Sequence, residues 1–166
     1  MKLQARIASL RFPRSLSSGL IAAATLFLLQ GQAKLEANER ITEAMAHEMR
    51  ALALENLASL RCSDGKSCAP ATESELKHPP ISVDDTRRAM SIGLVSGIAE
   101  KCGIDWNKNF FAPLMRHFRH QVRMNERQLA LISFVHGVQQ SRAFKSATND
   151  ICTPAMKERL SNSVAR

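Results

Sequence analysis

His117 and His120 stand three residues apart, the spacing at which two imidazoles on one helix can reach a single ion. As a metal pair they are weak candidates. Arg116, Arg119 and Arg123 flank them and repel a cation, and a third ligand would have to come from His136 or Asp105. A metal- or redox-linked protein using His117 and His120 is the second functional reading. On the rim of an anion-binding face the same two side chains would strengthen it when protonated below about pH 6.5. Met45, His47 and Met49 form M-x-H-x-M, a soft-copper pattern. Residues two apart on a helix diverge, so core packing explains the two methionines better.

His136 lies in the most apolar stretch, where a core histidine satisfied by a carbonyl or by Gln140 is expected. A small hydrolase using His136 as general base, with Ser133 three residues back, is the third reading. It lacks a G-x-S-x-G elbow, and neither an acid nor an oxyanion hole can be identified. No H-E-x-x-H, phosphate-cradling glycine loop, dinucleotide fingerprint or C-x-x-C-H haem site occurs either. The expectation is a non-enzymatic protein without a cofactor.

Cys62, Cys68, Cys102 and Cys152 are separated by six, thirty-four and fifty residues. Those intervals do not suit a Cys₄ zinc site, and C-x-x-C redox chemistry is missing. An even count in an exported chain reads as disulfides. Cys62 and Cys68 bracket a short loop and can meet without moving anything else, which leaves Cys102 with Cys152. This pairing is favoured over the other two.

Arg116, Arg119, Arg123 and Arg127 recur at spacings of three, four and four. On an amphipathic helix such a row is usually the solvated face. Its functional reading is a contact surface for an anionic partner: another envelope protein, anionic lipid or an acidic polymer. Nucleic acid fits the charge, but no recognition motif supports it and an exported chain would not meet it.

These side chains need elements to hold them. Tyr is absent, aromatics make up 5% and Ala, Leu and Met abound, so helices are expected throughout. Lys34 to Leu60 reads as one long helix with Ile41, Met45, Met49 and Leu52 inward. Residues 69–82, with three prolines, read as an exposed linker carrying a solvated His78. Ser82 to Asp85 can cap a helix to about Cys102 with Met90, Leu94 and Ile98 inward, and Gly103 as its C′ residue. Gly93 and Gly97 within it imply that another backbone comes close.

Asn107 or Asn109 would cap the next helix, Phe110 to Met124, with Phe111, Leu114, Phe118 and Val122 inward. Asn125 and Gln128 form a cap pair for the central helix, which runs to about Lys145. That helix is apolar around most of its circumference, apart from a strip of Ser133, Gly137 and Gln140. Thr153 and Pro154 open a short last helix to about Val164. The whole is an all-α, disulfide-stabilised bundle of about five helices. Residues 34–68 hold the first helix and disulfide loop, and residues 83–166 the helical core domain.

Residues 1–33 read as a signal peptide cleaved after Ala33. Four basic residues and no acid precede or flank an apolar run of eleven, Gly19–Leu29, and then small residues Gly31 and Ala33. The run is short for a transmembrane span. A mitochondrial presequence and an uncleaved anchor are the alternatives. A periplasmic or secreted protein follows. Without residues 1–33 the formal charge falls from +8 to +4, because four of the 23 basic residues go and all 15 acids stay. That charge is uneven: residues 34–80 carry six basic against eight acidic side chains, residues 81–166 thirteen against seven. A basic half favours acidic partners and specifies none of them.

Overall fold

The computed structural model describes residues 41–62 and 65–163, which share one compact unit. The signal peptide over residues 1–33 lies outside them. In chain order the elements are α1 (Glu43–Glu55), a 3₁₀ turn at Leu57–Ser59, α2 (Glu73–Lys77) and α3 (Val83–Lys101). A π-helical turn (Asn107–Phe111) leads into α4 (Ala112–His120). Then come α5 (Glu126–Ser146), a 3₁₀ turn at Asn149–Ile151 and α6 (Pro154–Ser163). The fold is all-α, with no strand among the described residues. None of the described helices is long and apolar enough to cross a membrane.

The bundle is built on the seam between α3 and α5. A methyl on Gly93 would lie 2.6 Å from the His136 carbonyl oxygen. One on Gly97 would meet the Gln140 carbonyl and the Ala143 side chain. The two backbones therefore touch, and only glycine fits between them. The buried face of α3 is accordingly made of small residues, Ala89, Gly93, Ser96, Gly97 and Ala99, with Thr86 and Met90. Leu94 and Ile98, expected to face inward, are only partly buried. On α1 likewise, Ala46 and Ala53 take the closest positions and Met45 is exposed. Small side chains at the seam let the helices approach, and larger apolar ones such as Met90, Phe118, Leu131 and Ile132 fill the core around it.

Three boundaries differ from those expected. Thr42 is extended and caps α1 through the Met45 amide, so that helix starts at Glu43 and does not run unbroken from Lys34. Inside the proline-rich stretch, Thr72 and Glu75 form a reciprocal capping box, which nucleates α2. The third is the end of α4 at His120, well before Met124. Asn125 must be extended to cap α5, so the chain turns first, and Arg123 takes a left-handed conformation (φ 61°). Met124 then enters the core, and Val122, expected there, is 42% exposed.

The cysteines pair as Cys62–Cys68 and Cys102–Cys152, with Cα separations of 5.0 and 5.2 Å. Cys102 follows α3 and Cys152 precedes α6, so this bridge ties the last helix to a cluster of Ala99, Phe110 and Leu160. Two disulfides and no free cysteine mark an oxidising, extracytoplasmic location.

Candidate functional site: the basic tip after helix α4

Trp106 and Asp105 open the turn that carries α4. The Asp105 carboxylate accepts the Lys108 amide, so Asp105, and neither Asn107 nor Asn109, is the cap. The π-helical turn buries Phe110, and Pro113 falls in the first turn of α4, where a missing N–H is tolerated. Leu114 and Phe118 then anchor α4 in the core, leaving Arg116, Arg119 and His120 on its exposed side.

The four arginines separate into two kinds. Arg127, in the first turn of α5, donates Nε and Nη2 to the Glu75 carboxylate at 2.6 and 2.8 Å. Its Nη1 and Nη2 also reach the carbonyls of Ala69 and Pro70. It thereby staples α2 and the preceding loop to α5. These bonds hold the Glu75 carboxyl down at about 2, the hydrogen bonds from Arg127 and then Thr72 being the main causes. Arg119 makes a fork on Glu126 at 2.8 and 3.3 Å, both partners about half exposed. Arg116 and Arg123 are exposed and make no ion pair among the described residues. The row is therefore no single helix face: Arg116 and Arg119 lie on α4, Arg123 in the turn and Arg127 beyond it.

From Arg119 to Arg123 five consecutive residues are exposed. Basic side chains also suit the carbonyl end of a helix, which accounts for Arg119 and His120 without a partner. It does not account for Arg123. A left-handed residue is where glycine costs least, yet here the chain carries arginine with no acid beside it.

The other candidates are placed elsewhere. His117 bonds Gln121 through Nδ1 and packs edge-on against Phe118. No group of three His, Cys, Asp or Glu side chains among the described residues could hold a metal ion, so the pair finds no third ligand. His47 turns to Arg50 and Glu43, away from Met45 and Met49. His136 is 1% exposed. Its Nε2 pairs with the Ser96 hydroxyl at 2.9 Å, and its ring stacks on Trp106 and leans on Phe111. Burial pushes the imidazole down to about 4. Ser133 lines a shallow surface depression with Leu60, Arg61 and Phe134. Ser96 and His136 are both buried in the core. Gln140 donates to Glu100 at 2.8 Å across the same seam.

Val122 and the left-handed Arg123 were not singled out by sequence as a pair. Their signal was the Asn125 cap, which demands an extended residue just after them.

No protein-family model matches the chain, and neither the curated proteins nor the solved structures contain a significant match to it.

Proposed function

We propose that the protein is an exported, periplasmic or secreted, helical accessory protein of the cell envelope, which works by binding an anionic partner through Arg116, Arg119 and Arg123. Arg123 carries this reading: an exposed arginine with no ion pair among the described residues occupies a strained position in an exposed turn. Arg127 stays outside the contact set because Nε, Nη1 and Nη2 are all taken by Glu75, Ala69 and Pro70 and its side chain is mostly buried. Arg119, by contrast, bonds Glu126 through Nη1 and Nη2 and stays half exposed. The two disulfides support export, and cleavage after Ala33 belongs to the same proposal.

The test is retention of the intact, oxidised protein on immobilised polyphosphate as salt is raised. Contacts between exposed charges are screened, so the wild type should elute in a salt-dependent manner. The double variant R116E/R123E should elute at much lower salt with its helical content unchanged. Equal elution of the two proteins would remove the tip from the account.

A further inference from the structure

We infer that the anionic partner is the surface of a lipid bilayer, with Arg116, Arg119 and Arg123 at the headgroup phosphates and the Val122 side chain inserted between them. This rests on the anionic-partner reading and adds the class of partner. Val122 is one of four large apolar side chains that are exposed among the described residues; Arg123 follows it, and Arg119, His120 and the neutral Gln121 precede it. The helix period carried on from Phe118 would place Val122 inward. The chain instead ends α4 at His120 and sends Met124 to the core.

A protein partner would need something different. Hot spots at protein interfaces are aromatic or arginine anchors seated in desolvated pockets. The tip supplies arginines but no aromatic side chain between Arg119 and Arg123. Two surface depressions among the described residues lie away from it, one under Met45, Leu52 and Arg142, the other between Leu60, Arg61 and Phe134. A bilayer needs no matching shape. Its phosphates are laterally mobile, basic residues add their contributions one by one, and one apolar side chain can enter beneath them. Arginine also keeps its charge at the phosphate level while its stem covers apolar surface.

The experiment uses the full oxidised chain and sedimentation with two vesicle types, pure phosphatidylcholine and phosphatidylcholine with one-third phosphatidylglycerol. Binding is expected at low salt to the anionic vesicles alone, and each Arg→Gln change at positions 116, 119 and 123 should lower it about fivefold. Val122→Asn should weaken vesicle binding and leave polyphosphate retention as it was. Val122→Trp should strengthen it and shift tryptophan emission to the blue when anionic vesicles are added. Retention on polyphosphate without vesicle binding would overturn the membrane and point to an acidic protein or polymer, with the basic tip intact. Vesicle binding indifferent to both Val122 variants would overturn insertion. Loss of both interactions would sink the anionic-partner reading itself.

Discussion

Ser96 Oγ and His136 Nε2 lie 2.9 Å apart at the centre of the α3–α5 seam, and both residues are at most 1% exposed. The pair joins two helices where glycines have brought their backbones together, so its hydrogen bond satisfies polar atoms that no water could reach. It is a structural pair with an electrostatic consequence.

That consequence is acid sensitivity. An unfolded histidine takes up a proton near pH 6.5, whereas folded His136 resists until about pH 4. The folded pKa is lowered for a group that becomes cationic, so the unfolded state binds more protons and stability falls as pH drops from 6.5 to 4. The full loss is about 3 kcal/mol. Denaturant melts between pH 7 and 4.5 should show this slope, and His136→Gln should flatten it. A wild type equally stable at both ends would contradict the buried neutral imidazole.

Alanine at Gly93 or Gly97 separates two effects of opposite sign. Helix propensity alone favours alanine by about 1 kcal/mol. Contact with the His136 and Gln140 carbonyls cannot be relieved by a rotamer change, so the helices must move apart. We expect each variant to lose about 2–3 kcal/mol or more in chemical denaturation. A stabilised G93A would mean that the seam is looser than described.

Arg127→Lys keeps the charge and loses the fork. Lysine cannot hold both Glu75 oxygens and the Ala69 and Pro70 carbonyls at once. A loss of about 2 kcal/mol is expected, with faster proteolysis in residues 69–80. In the wild type the Glu75 contribution is present above about pH 4.5 and is lost as pH falls toward 2. In the variant the Glu75 carboxyl should titrate closer to the ordinary value, as followed by carbon NMR.

Much of the helix pattern was readable because it depends on local chemistry. Ser82, Asn125 and Thr153 cap α3, α5 and α6 as their side chains predict. Gly93 and Gly97 announced a close backbone, and cysteine spacing gave the pairing. What was misjudged depends on partners far along the chain. Nothing local tells that Arg127 will reach Glu75, although the Thr72–Glu75 capping box was visible among the prolines. Ile41, Met49 and Met90 face inward as their period predicts, whereas Met45 is exposed and Leu94 and Ile98 only partly buried, because close approach favours Ala46, Ala53 and Gly93 there. The helix period predicts Val122 inward, but the turn that Asn125 forces ends the helix at His120 and leaves Val122 exposed.

The most direct test of the basic tip is Arg123→Gly, with thermal stability and polyphosphate retention measured on one preparation. Glycine relieves the left-handed backbone at φ 61° and removes one unpaired charge. The account predicts unchanged or higher stability, by up to about 1 kcal/mol, together with elution at clearly lower salt. A less stable variant with undiminished retention would show that Arg123 serves the fold, and would contradict a tip shaped for an anionic partner.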